Sequence, residues 1–168
     1  MKTLIAYYSR NGQNYFGGQL KYIEIGNTEK VAKMINEVVD SDLFKIEQVV
    51  PYSSEYKTCI AQAKDDKENN RHPELKNKLY SIDDYDVIYL GYPNYWGTMP
   101  MAVFTFLESY DFSNKTIYPF CTHEGSGLGN SLSDLKKYCP NIGSSIEIVG
   151  SKVDEKKDEI INWLKETI

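Results

Sequence analysis

Val87-Ile88-Tyr89-Leu90-Gly91 runs into Tyr92-Pro93-Asn94-Tyr95-Trp96-Gly97-Thr98-Met99, and Pro100-Met101-Ala102-Val103-Phe104-Thr105-Phe106-Leu107 follows. The first five residues form an unbroken apolar run of strand length. Such a run marks a strand covered on both faces. Pro100 suits the first position of a helix, where its missing N–H is no loss. Met101, Val103, Phe104, Phe106 and Leu107 then supply an apolar helix. Strand, aromatic loop and helix in this order make one half of a β-α-β crossover.

The same alternation extends in both directions. Upstream, Thr3 to Tyr8 is a second buried-strand run, and Val31, Ala32, Ile35, Val38 and Val39 mark a helix over Thr28 to Val39. Leu43 to Val50 reads as the next strand, and Ser54 to Asn69 as a polar, weakly helical stretch. Downstream come a strand over Thr116 to Cys121, interrupted by Pro119, and a helix over Leu128 to Tyr138. A strand over Ile146 to Val149 and a closing helix marked by Val153, Ile160, Ile161 and Leu164 end the chain. This β-α alternation predicts an α/β fold, a doubly wound five-stranded parallel sheet of order 2-1-3-4-5 with helices on both faces. Its 168 residues suit one domain over 1–168. Ligands of such sheets sit beyond the carboxyl ends of the strands, at the switch point between strands 1 and 3.

Three loops therefore face one site. The first is Ser9-Arg10-Asn11-Gly12, continued by Gly26-Asn27-Thr28 before the first helix. Small polar residues with free N–H groups at a helix N-terminus suit a phosphate, although Asn27 or Thr28 as a simple N-cap is an equal reading. Neither GxxxxGK[ST] nor GxGxxG is present, which argues against a nucleoside triphosphate or a dinucleotide. In the second loop, the rings of Tyr92, Tyr95 and Trp96 occupy a surface stretch where a flat aromatic ligand offers a partner. The third, Thr122-His123-Glu124-Gly125-Ser126-Gly127-Leu128-Gly129, has glycines that let backbone approach a ligand closely. His123 and Glu124 read as orienting the loop more readily than as catalytic groups. No histidine–aspartate partner makes a serine here a hydrolase nucleophile.

Composition narrows the class. A net charge of −5 disfavours nucleic acid, which needs clustered Lys and Arg. No apolar stretch is long enough for a membrane span. Cys59, Cys121 and Cys139 are odd in number and show neither CxxC nor zinc spacing, which fits reduced thiols in a cytoplasm.

At the three loops the sequence resembles the flavodoxin family, and in particular its bacterial flavodoxin-like branch. Ser9-Arg10 and Gly26-Asn27-Thr28-Glu29-Lys30-Val31-Ala32 match the two halves of the family's first-loop motif, Ser-Arg-Thr-Gly-Asn-Thr. Gly91 to Pro100 resembles its second flavin loop and Thr122 to Gly127 its third. The resemblance implies FMN, with its phosphate at Ser9, Arg10, Asn27 and Thr28, beside Asn11. It sets the isoalloxazine between Pro93, Asn94, Tyr95, Trp96 and Gly97 on one side and Thr122, His123, Glu124, Gly125, Ser126 and Gly127 on the other. Tyr95 or Trp96 is expected to stack on it. Two departures stand out: an insertion splits the phosphate motif, and Asn11 stands where the motif has Thr. No long insertion breaks the fifth strand, as in short-chain flavodoxins.

The implied function is an electron carrier between redox partner proteins. An NAD(P)H-dependent flavin or quinone reductase on the same fold is the alternative, and a binding module that has lost its flavin is a third class. The insertion, Gln13 to Ile25, reads as a β-hairpin turning at Gly17-Gly18, a favoured two-residue turn. A lone hairpin is marginally stable, so this one is expected to lean on the domain or on a partner.

Overall fold

In the computed structural model, which describes residues 2–168, Thr3–Tyr7 forms strand β1 and all of its residues are buried. Leu4 and Ala6 join one hydrophobic core, and Ile5 and Tyr7 join the other. Burial on both faces is why this strand shows no apolar–polar alternation. Then follow β2 (Gly12–Phe16), β3 (Gln19–Ile23), α1 (Asn27–Val38), β4 (Asp42–Lys45), α2 (Tyr56–Glu68), β5 (Val87–Pro93) and α3 (Met101–Glu108). The chain continues through β6 (Thr116–His123), α4 (Ser131–Leu135), β7 (Ile146–Val149), a 3-10 turn over Gly150–Glu155 and α5 (Lys157–Thr167).

The main sheet is parallel, in the order β4-β1-β5-β6-β7. Counting only its own strands, this is the order 2-1-3-4-5 expected from the sequence. Val31, Ala32 and Ile35 of α1 pack with Ile160, Trp163 and Leu164 of α5 on one face. Helix α3 and Leu135 of α4 cover the other, with α2 lying beside α3. The switch point falls between β1 and β5, which pair from Thr3–Val87 to Tyr7–Gly91.

Several boundaries differ from the sequence expectation. The second sheet strand ends at Lys45 rather than Val50, because Gln48 leaves the ladder for an antiparallel bridge to Leu75. Val49 and Val50 are thereby exposed. Strand β6 runs through Pro119 to His123. Ile117 bonds Asn141 and Gly143 on the β7 side, so Pro119 also addresses that side, where β7 has not yet begun. A missing N–H costs nothing where no ladder partner exists. Helix α4 spans five residues rather than Leu128 to Tyr138: Gly129, at φ +55°, keeps the chain out of the helix at its start, and at its end the N–H groups of Lys137 and Tyr138 turn to the i−3 carbonyls of Asp134 and Leu135 (3.2 and 3.0 Å). Val153 belongs to the 3-10 turn, not to the closing helix.

Strands β2 and β3 form a separate two-stranded sheet, joined at Gly17-Gly18 with φ of +64° and +84°. The hairpin leans on the domain at two places. At its base, Gln13 Oε1 accepts Tyr56 N–H (2.7 Å), and Tyr15 meets Tyr56 edge to face at 5.1 Å. At its tip, Gly17 N–H reaches Glu124 Oε2 (3.4 Å). It therefore spans from the start of α2 to the loop after β6.

Candidate functional site

The two halves of the split first loop meet in space. Gly26 lies so close to the loop after β1 that a Cβ on it would sit 2.1 Å from Ser9 Oγ and 2.6 Å from the Arg10 carbonyl oxygen. Gly26 is also the N-cap of α1, and no side chain of its own segment caps the helix. The cap comes from Ser9, whose Oγ accepts Glu29 N–H at 3.0 Å across 20 residues. The reading of Asn27 or Thr28 as a simple cap is thus set aside. Thr28 is buried, and its hydroxyl pairs with that of Thr122 at 2.7 Å, tying the first loop to the third. Among the described residues, the N–H groups of Asn27 and Thr28 take no partner. The side-chain Oδ1 of Asn27 is buried and also unpartnered. Unfilled donors at a helix N-terminus are where an anion gains most.

The second loop is a tight hairpin of its own. Tyr95 and Thr98 exchange backbone bonds of 2.8 and 3.2 Å, with Trp96 at φ +54° and Gly97 at φ +83° between them. A two-residue turn of this hand needs positive φ at both positions, which glycine takes freely and tryptophan does not. Trp96 is held there from outside. Its indole N–H donates to Ile60 O (2.8 Å), Lys67 Nζ bonds its carbonyl, and Lys64 Nζ lies 5.2 Å over its ring. The ring is 44% exposed. Tyr95 points inward instead, edge to face with Tyr8 at 5.7 Å, and its hydroxyl is buried without a partner.

Asn94 locks the second loop to the third: Gly97 N–H donates to its Oδ1 (2.9 Å) and its amide donates to Gly127 O (2.8 Å). Asn130 N–H completes the seam on Gly97 O (2.7 Å). In the third loop Gly125 N–H folds back onto His123 Nδ1 at 2.9 Å. Glu124 accepts Ser151 N–H (3.0 Å) as well as the hairpin tip.

Between these loops opens a cleft of about 390 Å³, within the range of small-ligand sites. Of the sequence-chosen residues, Arg10, Asn27, Pro93, Asn94, Tyr95, Trp96, Gly97, Thr122, His123, Glu124 and Ser126 line it. Ser9, Asn11, Thr28, Gly125 and Gly127 do not. Of these, Ser9 and Thr28 brace the first loop, and Gly125 and Gly127 shape the third, whereas Asn11 is simply exposed. Arg10 donates to Gln13 O (3.2 Å) and Ser54 O (3.0 Å), so its guanidinium stands under the hairpin base.

The sequence reading missed one wall. Tyr56, Cys59, Ile60 and Ala63 of α2 line the cleft, together with Asn14 and Tyr15 of the hairpin. The i, i+3, i+4, i+7 spacing of those α2 residues is the signal that marks a helical face. The wall is chemically quiet. Burial pushes the Cys59 thiol up, only partly offset by Arg10, so it stays protonated at neutral pH and is no nucleophile. Burial likewise holds Tyr95 well above an ordinary phenol, with Tyr8 adding to the effect. The cleft thus offers anion donors at one end, flat aromatic and apolar surface elsewhere, and hydrogen-bonding edges from loops two and three. An orphaned acceptor at Asn27 and empty N–H groups fit a molecule carrying hydroxyls and a phosphate.

Comparison with known proteins agrees with this geometry. A family model described as flavodoxin matches residues 19–167. No curated protein sequence matches the chain. Among solved structures, a protein from Bacteroides uniformis ATCC 8492 described as a flavoprotein is 28% identical, with TM-score 0.78, covering 98% of this chain and 97% of that one. Its counterpart from Bacteroides eggerthii DSM 20697 is also 28% identical, with TM-score 0.76 and coverage of 99% and 98%. A flavoprotein in complex with FMN from Lactobacillus acidophilus NCFM shares the fold at 22% identity, with TM-score 0.62 and coverage of 92% and 97%.

Proposed function

Because the chain belongs to the flavodoxin family, we propose that it binds one FMN in the cleft and carries electrons between redox partner proteins in the cytoplasm. The observation that carries this reading is the paired set of unfilled groups at the start of α1. Asn27 and Thr28 offer free N–H groups and Asn27 offers a buried unpartnered Oδ1, all held in place by Ser9 and Gly26. These would hold the phosphate and the adjoining hydroxyls. Trp96, Pro93, Tyr56 and the third loop would hold the ring system. FMN supplies one- and two-electron chemistry when bound; the chain supplies its position, its electrostatic surroundings and its access to partners.

The alternative is an NAD(P)H-dependent flavin or quinone reductase. One observation favours it: Tyr56, Ile60 and Ala63 of α2 give the cleft an apolar wall beyond the three loops, against which a second flat ring could lie. Two experiments test both readings. Apoprotein is titrated with FMN, FAD and riboflavin, and the FMN-loaded protein is mixed anaerobically with NADH and NADPH. Tight FMN uptake with slow reduction by both nucleotides supports the carrier. Fast direct reduction supports the reductase, and no uptake at micromolar FMN overturns both.

A further inference from the structure

The third loop fixes which nitrogen of His123 carries the proton. The sequence His123-Glu124-Gly125 turns so sharply that Gly125 sits at φ +126°, a conformation reserved for glycine. The turn brings Gly125 N–H to His123 Nδ1 at 2.9 Å. A backbone N–H only donates, so Nδ1 must keep its lone pair. A neutral imidazole has one proton, which then belongs on Nε2. His123 lines the cleft, and among the described residues Nε2 takes no hydrogen-bond partner. The ring is thus oriented at one nitrogen by its own loop and left with a free donor at the other.

We propose that His123 is a redox-tuning residue that donates an Nε2–H hydrogen bond to the cofactor bound in this cleft. This rests on the FMN reading above. A neutral donor strengthens its bond as its acceptor gains negative charge. His123 therefore favours the reduced cofactor over the oxidised one and raises its potential, against the opposing effect of the chain's net charge of −5. Glu124 is drawn away from this task, since its carboxylate is spent on Ser151 and the hairpin tip.

The first measurement is a long-range ¹H–¹⁵N spectrum of the apoprotein under conditions where the ring is neutral. His72→Gln assigns the two histidines. The expected form is protonated at Nε2; protonation at Nδ1 overturns the inference before any cofactor is added. The second is the midpoint potential of FMN bound to three variants. His123→Asn can still accept Gly125 N–H but has nothing at the Nε2 position. His123→Gln can reach that position with an amide N–H. His123→Leu has neither group. Asn and Leu are expected to lower the preference for reduced over oxidised FMN about tenfold, which is about 30 mV for a two-electron couple. Gln is expected to recover most of it. If Asn matches the parent, His123 only braces the loop and the inference fails. If all three match the parent, no such bond exists. Failure of the parent to bind FMN overturns the functional reading and removes the acceptor, while the tautomer is decided independently by the spectrum.

Discussion

Gly26→Ala tests how the two halves of the phosphate loop are joined. Gly26 has φ −64°, which alanine adopts without strain. Its effect must therefore come from space. The added Cβ would lie 2.1 Å from Ser9 Oγ, 2.6 Å from Arg10 O and 2.8 Å from the Arg10 carbonyl carbon. Ser9 could rotate away, but only by releasing Glu29 N–H and uncapping α1. Arg10 O and C are backbone and must move with the whole loop. Overpacking of this kind costs about 1–3 kcal/mol and loss of a cap about 0.5–2 kcal/mol, so a total near 2–4 kcal/mol is expected. Against a typical total of about 5–15 kcal/mol, the variant should fold. Its urea midpoint should fall by roughly 1–2 M for a slope of about 2 kcal/mol/M. Because the shift misplaces the α1 N-terminus, FMN affinity should drop at least about tenfold more than riboflavin affinity, the scale of one lost bond to a charged group. Gly18→Ala is the control: its φ is +84° with nothing within 4 Å, so only backbone strain of about 1 kcal/mol applies. Parental stability together with parental FMN-over-riboflavin preference in Gly26→Ala would refute the reasoning.

Other outcomes follow from single contacts. Tyr95→Phe removes a buried hydroxyl without a partner, so the urea midpoint should rise, by about 1–3 kcal/mol in stability; a fall would mean that the hydroxyl is paired. Burial opposes the charge on Glu29, but Lys45 and Lys33, each at 3.1 Å, outweigh it and hold the carboxyl below its ordinary value. That stabilisation is complete above the unfolded value of about 4.3 and is lost as pH falls through the lower folded value. Glu29→Gln should therefore cost about 0.2–1 kcal/mol at pH 7, with the gap from the parent closing in acid; a gap independent of pH would contradict the ion pairs. Trp96→Ala should weaken FMN by about 0.5–1.5 kcal/mol beyond lost area if the ring stacks on the cofactor, and unchanged affinity in a calorimetric titration would mean that Trp96 only packs on α2. Replacing residues 13–25 by a short glycine linker should leave the circular dichroism of the main sheet intact. FMN affinity should fall roughly tenfold through loss of the Tyr15 and Gln13 contacts to Tyr56; equal affinity would make the hairpin a surface decoration.

The sequence by itself determined the order of elements, the parallel sheet and the three loops that meet at its carboxyl end. The physical reason is that burial on both faces writes itself locally, as the unbroken runs Leu4-Ile5-Ala6 and Val87-Ile88-Tyr89-Leu90. Those runs depend on how much of a strand is covered, not on which residue covers it. Only the tertiary structure decided the details within the site. Ser9 caps a helix 20 residues away, Thr28 pairs with Thr122 across 94, and Asn94 bridges to Gly127 across 33. Trp96 is held at a positive φ by Ile60 and Lys67 of a helix whose weak apolar pattern gave little notice of its role. In each case a polar group had two candidate partners, one local and one distant. Periodicity records neither, and the choice falls to whichever partner the packed sheet brings within about 3 Å.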